Sequence, residues 1–172
     1  MASESAPSSW LVSNLDLIPC PGRALDVACG RGRHTLFLAE RGWSVRAVDR
    51  DSGLVAALRA EAATRGLSLR AEVLDLEAGD AELGREACDL IVVVHYLHRP
   101  LFPALIQALA SGGVLLYETF TVDQARRGKP TNPDFLLQHG ELQARLGSLA
   151  ILRERDGVFE GRAVAGVVAR KA

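Results

Sequence analysis

The amino-acid sequence predicts an α/β fold: a doubly wound, seven-stranded mixed sheet with helices on both faces and an antiparallel C-terminal hairpin. Apolar runs of strand length alternate with helical patterns along most of the chain, as expected for parallel strands joined by helices. The last two strand-like runs are separated by about five residues. That connection is too short for a helical crossover, so these strands must pair antiparallel.

The predicted elements follow in order along the chain. The seven strands cover residues 23–28, 44–49, 67–74, 89–94, 113–120, 150–155 and 162–169. The helices cover residues 33–41, 51–65, 100–110 and 141–146. Asp51 can cap the second helix, and Pro100 suits the first turn of the third. Residues 90–94 are apolar without alternation, which predicts a central strand, whereas residues 67–73 alternate and predict a strand near an edge.

Length and charge limit the functions that the chain can have. Its 172 residues, 48% of them hydrophobic, predict one core and a single domain over residues 1–172. The formal net charge of -1 provides no positive field for nucleic acid or an anionic membrane. The longest apolar run is too short to span a bilayer, and no signal peptide is recognisable, so we expect a cytoplasmic protein with a small-molecule partner. Three widely spaced cysteines predict reduced thiols and no metal site.

The strongest motif is the glycine-containing turn that joins the first strand to the first helix, with Gly30 and Gly32. Ligands of open α/β sheets bind beyond the carboxyl ends of the strands, where this turn lies. Glycine lets the backbone approach a ligand and adopt dihedral angles that a side chain disfavours. A tight turn without any ligand needs the same glycines, so the motif alone leaves both interpretations open.

Three further residues indicate which ligand the turn binds. Thr35 occupies the place of the third glycine of the dinucleotide fingerprint, and Asp26 lies just upstream in the strand. A carboxylate beside a pyrophosphate is repelled, whereas one near an ammonium or sulfonium group is attracted. Asp49 ends the second strand, where its carboxylate can accept both hydroxyls of a ribose. The pattern favours an adenosine ligand without phosphates over a nicotinamide dinucleotide, and it leaves a nicotinamide-dependent oxidoreductase as the less favoured alternative.

Residues 25–38 resemble the first motif of class I methyltransferases that depend on S-adenosylmethionine (SAM). Asp49, the pair Asp75-Leu76 and the strand 89–95 fall where that family keeps its later motifs. The resemblance covers residues 23–120 and implies a Rossmann-like sheet, SAM as cofactor and S-adenosylhomocysteine (SAH) as product. Residues 29–34, followed by 36–39, are similar to the small tellurite-resistance methyltransferases within that family.

The resemblance assigns each motif a part of the cofactor. It places the two glycines at the methionine moiety and Asp49 at the ribose. Asp75 meets the adenine amino group, with the Leu76 backbone nearby, and the His95 region faces the transferable methyl. The predicted cofactor-binding residues are Asp26, Ala28, Gly30, Gly32, Arg33, Asp49, Arg50, Asp75, Leu76 and His95. Arg33 can pair with the methionine carboxylate at the start of its helix, or it is an ordinary solvated charge.

The acceptor side is predicted from the ends of the later strands. His95 and Tyr96 end a central strand and would form one wall of the substrate pocket. His95 can act as a general base, the one catalytic residue predicted, or it can orient a neighbouring group. Glu118 ends the fifth strand at the same rim, where it either binds a cationic substrate or caps a helix.

Residues 121–140 form a long polar connection, which is typical of a functional loop or a solvated one. We expect a lid over the active site, whose Arg126 and Arg127 attract an anionic substrate. Residues 1–22 would supply a second cover. The sequence thus predicts a SAM-dependent methyltransferase that acts on a small-molecule nucleophile by one-step displacement, with a non-catalytic SAM-binding or regulatory module as the alternative.

Overall fold

The computed structural model describes residues 6–79 and 81–172. Its described residues contain a seven-stranded sheet in the order β3-β2-β1-β4-β5-β7-β6. The strands are β1 (Arg23–Val27), β2 (Ser44–Asp49), β3 (Leu69–Val73), β4 (Cys88–Val94), β5 (Leu109–Phe120), β6 (Ala150–Phe159) and β7 (Arg162–Arg170). Strands β1 to β5 pair in parallel, while β7 is antiparallel to both β5 and β6. The predicted mixed sheet, its edge strand β3 and its C-terminal hairpin are therefore confirmed.

Helices cover both faces of this sheet. The α-helices are α1 (Ser9–Val12), α2 (Arg33–Ala39), α3 (Ser52–Thr64), α4 (Phe102–Ala108) and α5 (Glu141–Arg145). Short 3₁₀ helices occur at Leu15–Leu17, Arg99–Leu101, Val122–Arg126 and Pro133–Phe135. Asp51 caps α3 as predicted, because its carboxylate accepts hydrogen bonds from the backbone N–H groups of Gly53 and Leu54.

The central strand β4 divides the core into two layers. Ile91 and Val93 pack into the cluster that contains α4 and α5, whereas Leu90 and Val92 pack into the cluster that contains α1 and α2. All four side chains are completely or almost completely buried. Burial on both faces explains why this strand shows no apolar–polar alternation, as expected for a doubly wound sheet.

Several predicted boundaries differ from the structure, and in two places the cause is strand pairing that extends a strand. The third predicted helix was expected to reach residue 110 but ends at Ala108, and β5 begins at Leu109, which pairs with Cys88. The strand β6 was expected to end at residue 155 but continues to Phe159. A two-residue turn of Glu160 and Gly161, both with positive φ, closes the hairpin and keeps the two strands paired to their ends.

The N-terminal segment lies along the sheet, within the predicted cover of residues 1–22. Trp10 is buried in the α1–α2 layer, directly over Gly166 of β7. A β-carbon at Gly166 would lie 3.0 Å from the indole, so glycine makes room for it. Residues 1–5 of the predicted cover lie outside the described residues. Among the helices of the described residues, none has the length and apolarity needed to cross a membrane.

Candidate functional site

A cavity of about 300 Å³ opens at the edge of the sheet where the parallel strands end. We call it the first cavity. Seven of the predicted site residues line it: Ala28, Asp49, Arg50, Asp75, Leu76, His95 and Tyr96. Its remaining wall consists of Leu74, Glu77, Leu97, Thr119, Phe120, Pro130 and Phe135. Residues that are far apart in the sequence thus meet at the position where open α/β sheets bind their ligands.

Asp49 fixes the glycine-containing turn as well as lining the first cavity. One carboxylate oxygen, Oδ2, accepts a hydrogen bond from the backbone N–H of Gly30 at 2.8 Å, and Oδ1 accepts one from Asp51 at 2.9 Å. Each carboxylate oxygen can accept a second hydrogen bond. Asp49 therefore holds the turn in place and keeps acceptor capacity for a ligand.

The two glycines of the turn have different structural roles. Both have positive φ, 55° at Gly30 and 77° at Gly32, which explains the preference for glycine. A β-carbon at Gly32 would lie 2.3 Å from Cδ1 of Leu58, so this glycine allows α3 to pack against the turn. A β-carbon at Gly30 would meet no atom within 4 Å. Neither glycine is part of the first cavity's wall, and only Gly30 has open space beside it.

Four of the described residues other than glycine adopt positive φ, and two of them line the first cavity. Ala28 (φ 53°) follows β1, and His95 (φ 58°) follows the neighbouring strand β4. Such conformations cost about 1–3 kcal/mol each and occur preferentially at functional sites. Strain at two adjacent strand ends therefore indicates that this edge of the sheet is shaped for a ligand.

His95 is partly buried, and its ring stacks on Phe120 with 4.6 Å between the ring centroids. Its backbone N–H donates to the carbonyl of Glu118 at 2.8 Å, which fixes the strand end. Burial, followed by the positive charges of Arg33 and Arg162, lowers the pKa of His95 to about 4. The imidazole is therefore neutral at pH 7 and a weak base.

The first cavity has an acidic wall. Asp49, Asp75 and Glu77 face one guanidinium group, that of Arg50. Burial, followed by the charges of Glu77 and Asp75, raises the pKa of the Tyr96 phenol to about 12, so it stays protonated. Such a wall favours a positively charged ligand.

A second cavity, of about 210 Å³, shares His95 with the first. Its charged wall residues are Arg33, Glu118, Arg155, Glu160 and Arg162. The N-terminal segment closes one side with Pro7, Ser8, Ser9 and Val12. Arg33 and Glu118 were predicted at the site from the sequence, and the structure places both in the second cavity and not in the first.

Glu118 forms a buried ion pair with Arg155. The carboxylate accepts hydrogen bonds from the Arg155 guanidinium, at 2.7 Å from Nε, and one from the Ser8 hydroxyl at 3.3 Å. Ser8 in turn caps α1, since its hydroxyl oxygen accepts the backbone N–H of Trp10. Glu118 thus supports the capping residue and is neutralised by an arginine. Glu118 lies on β5, and the register of β5, β7 and β6 brings it to Arg155.

Asp26 lies beneath the site and outside both cavity walls. Its carboxylate is buried and accepts a hydrogen bond from the Thr35 hydroxyl at 2.6 Å, which joins β1 to α2. Burial raises the pKa of Asp26 to about 7. Thr35, which replaces a fingerprint glycine, therefore serves to hold this carboxylate.

The predicted lid, residues 121–140, reaches over the first cavity through Pro130 and Phe135. A parallel bridge between Thr121 and Leu137 closes the base of the segment. The predicted substrate residues Arg126 and Arg127 are exposed and belong to neither cavity wall.

The sequence did not identify Glu77, Arg155 and Arg162 as site residues. Cross-strand register explains Arg155: it lies opposite Gly166 of β7, and Gly166 lies opposite Glu118 of β5. Because Gly166 has no side chain, Arg155 can reach across it to Glu118. The glycine in the middle of a strand was the one available signal.

Among the described residues, no group of three or more His, Cys, Asp or Glu side chains could hold a metal ion.

Comparison with known proteins points to one family. A family model described as a methyltransferase domain matches residues 24–113. The chain is 35% identical over 86 residues to Hemagglutinin 1 of Eikenella corrodens, and 26% identical over 87 residues to the probable S-adenosyl-L-methionine-dependent methyltransferase TehB of Haemophilus influenzae. These matches cover 50% and 51% of this chain but only 29% and 30% of the two relatives.

Solved structures agree on the fold. The crystal structure of TehB from Haemophilus influenzae superimposes with a TM-score of 0.80 at 20% identity, covering 99% of this chain and 64% of that one. An S-adenosylmethionine-dependent methyltransferase from Mesorhizobium loti gives a TM-score of 0.76 at 19% identity, covering 95% of this chain and 98% of that one. At these identities the likeness concerns the fold alone.

Proposed function

The chain belongs to the methyltransferase domain family, and from this premise we propose that it transfers the methyl group of SAM to a small nucleophilic molecule in one displacement step. The observation that supports this proposal most is the first cavity, with its acidic wall at the carboxyl ends of the parallel strands. The same edge holds ligands in other open α/β sheets.

The residues of the first cavity fit SAM chemically. SAM carries two positive groups, a sulfonium and an ammonium, and no phosphate. A wall with three carboxylates and one guanidinium suits such a ligand and opposes a dinucleotide with its pyrophosphate. Asp49 has unused acceptor capacity for the ribose hydroxyls, and Gly30 leaves open space beside the turn.

We assign the cofactor contacts accordingly. Asp49 binds the ribose, and Asp75 with the Leu76 backbone binds the adenine. Ala28 and Arg50 complete the walls on either side of Asp49, and His95 marks the end at which the methyl group is transferred. Asp26 supports the glycine-containing turn from beneath the first cavity, because its hydrogen bond with Thr35 joins β1 to α2. Gly32 supports the turn through its packing against α3.

When bound, SAM supplies a methyl carbon activated by a positively charged sulfur. The acceptor uses a lone pair to form a bond to that carbon while the carbon–sulfur bond breaks, and the electron pair of the broken bond remains on sulfur, so that SAH is the product. The protein mainly aligns the acceptor and excludes water, because charge is dispersed in the transition state. Neutral His95 lines the meeting point and shields it.

Two measurements test this proposal. Calorimetry compares the affinities for SAH and NADH, and we expect tight SAH binding without NADH binding. A labelled-methyl screen over thiols, metalloid oxyanions, amines and phenols then identifies the acceptor. The resemblance of residues 29–39 to tellurite-resistance methyltransferases makes the metalloid oxyanions a natural part of that panel. Binding of NADH in place of SAH would refute the proposal, and SAH binding without transfer to any acceptor would favour a regulatory module.

A further inference from the structure

We propose that the second cavity is the acceptor site and that it takes a small anion, whose charge lies between Arg33 and Arg162 and whose nucleophilic atom faces His95. This inference rests on the proposed methyl transfer. It names the acceptor class as a small anion. It also assigns recognition of that anion to residues on α2 and β7, whereas the sequence predicts recognition by the lid.

The charges in the second cavity are not balanced. Arg155 is neutralised by Glu118. Within the described ranges, Arg33 and Arg162 form no salt bridge, and the side chain of Arg33 donates only to the backbone carbonyl of Ala6, at 3.3 Å. Burial, followed by the positive charge of Arg162, lowers the pKa of Arg33. Two guanidinium groups that repel each other across a cavity favour an anion between them.

Glu160, at the tip of the hairpin, is the remaining carboxylate in this wall. It is exposed to solvent, so its charge is screened more than that of the half-buried Arg33. Arg162 is exposed as well, so the positive character at the inner end of the second cavity, beside His95, comes mainly from Arg33. An anion placed there also faces the positively charged methyl donor, and the two charges attract each other across the shared histidine.

The size of the second cavity limits the acceptor. Its volume of about 210 Å³ corresponds to roughly seven water molecules. The N-terminal segment forms its outer wall and is held there by two contacts to α2. The backbone N–H of Ser8 donates to Nε2 of His34 at 3.2 Å, and Arg33 donates to Ala6. This cover reduces access of water, which strengthens the attraction between an anion and the guanidinium groups.

Matched pairs of ligands test the proposal on the SAH-loaded protein. We would titrate mercaptoacetate against 2-mercaptoethanol, and 4-hydroxybenzoate against 4-hydroxybenzamide, while following the His95 ring resonances by NMR. The members of each pair differ in one charged group. We expect at least one anion to bind about tenfold or more tightly than its neutral partner, because charge-assisted hydrogen bonds are worth about that much.

Two variants show which residue causes the preference for the anion. Arg162→Gln should bring the anion's affinity to within about threefold of its neutral partner's, while SAH affinity stays unchanged. Arg170→Gln removes the same charge from the other end of β7, roughly 27 Å away along the strand, and should behave as the wild type. Equal affinities for both pairs, or an anion preference that survives in Arg162→Gln, would overturn the proposal. Loss of SAH binding in the wild type would instead refute the proposed function.

Discussion

The first and second cavities share His95 but carry opposite charge. In the first, three carboxylates face one guanidinium, whereas in the second three guanidiniums face two carboxylates. The first is built from the ends of parallel strands, where backbone dipoles and loops commonly bind cofactors. The second is built from the N-terminal segment and the C-terminal hairpin. In our proposal, the carboxyl ends of the parallel strands form the cofactor side, and Arg33 of α2 joins the N-terminal segment and the C-terminal hairpin on the acceptor side.

In our proposal, this difference lets the protein bring two ligands of opposite charge together. We propose that each cavity attracts one of them, and the residue between the cavities is a neutral imidazole in a strained backbone conformation. A charged residue at that boundary would favour one ligand over the other. The opposite charges of the two cavities therefore depend on ion pairs and protonation states. Variants of Glu118, Asp49, His95 and the lid arginines alter these groups, and their expected effects decrease in that order.

Removing the buried carboxylate of the second cavity should have the largest effect. Glu118→Gln removes a buried carboxylate and leaves the partly buried guanidinium of Arg155 without its partner, and breaking a buried pair costs up to about 3–5 kcal/mol of folding free energy. Urea denaturation measures the loss. Glu77→Gln in the first cavity is the control, because Glu77 is exposed and should change stability by less than about 0.5 kcal/mol. The double variant Glu118→Gln/Arg155→Met should regain much of the loss. A decrease below about 1 kcal/mol in the single variant would show that the pair is not structurally important.

Asp49→Ala tests the first cavity. The carboxylate holds the backbone of Gly30 and is proposed to bind the ribose, so SAH affinity should fall by more than about tenfold, and the melting temperature should fall as well. Calorimetry and thermal unfolding measure the two effects. Asp89→Ala, which removes a carboxylate from the opposite end of β4, should leave SAH affinity unchanged. An Asp49→Ala protein that binds SAH as tightly as the wild type would contradict the assignment.

His95→Gln tests whether the boundary residue is a base. Because its pKa is lowered to about 4, His95 is neutral throughout the range above pH 5, and turnover should show no inflection from this group between pH 5 and 8. The variant should lose less than about tenfold in kcat, whereas loss of a general base typically costs about 10²–10⁴-fold. Steady-state kinetics over this pH range decides between the two. A larger loss, with a pH inflection that disappears in the variant, would make His95 the base.

The double variant Arg126→Gln/Arg127→Gln should have the smallest effect. Both side chains are exposed and lie outside both cavity walls, so they attract an anionic acceptor only from a distance. We expect the KM for such an acceptor to rise by about twofold at low salt and by nothing measurable at 1 M salt, where the Debye length is about 3 Å. A salt-independent rise of tenfold or more would return anion recognition to the lid.

The sequence was most informative where local chemistry sets the structure. The number of strands, the edge position of β3 and the cap at Asp51 follow from alternation and side-chain preference, which a single chain displays. The first cavity could also be predicted from the sequence, because parallel strands bring their carboxyl ends to one edge of the sheet. Strand ends together with the family resemblance could therefore group Asp49, Asp75 and His95.

The second cavity could not be predicted in the same way. Its composition depends on the register of β6 and β7, and on the absence of a side chain at Gly166, which lets Arg155 reach Glu118. It also depends on where the N-terminal segment packs, and no periodicity in residues 6–12 indicates that. The exposed arginines of the lid were the more visible feature in the sequence, although they lie in neither cavity wall. Cationic residues in a polar loop are conspicuous, whereas Arg162 begins an otherwise apolar strand.

A crystal structure of the protein with SAH most directly tests the central claim that the two cavities divide the two ligands at His95. We predict the adenosine in the first cavity between Asp49 and Asp75, with the sulfur at His95 and directed towards the second cavity, which stays open between Arg33 and Arg162. SAH bound in the second cavity, or with its sulfur directed away from His95, would contradict the account.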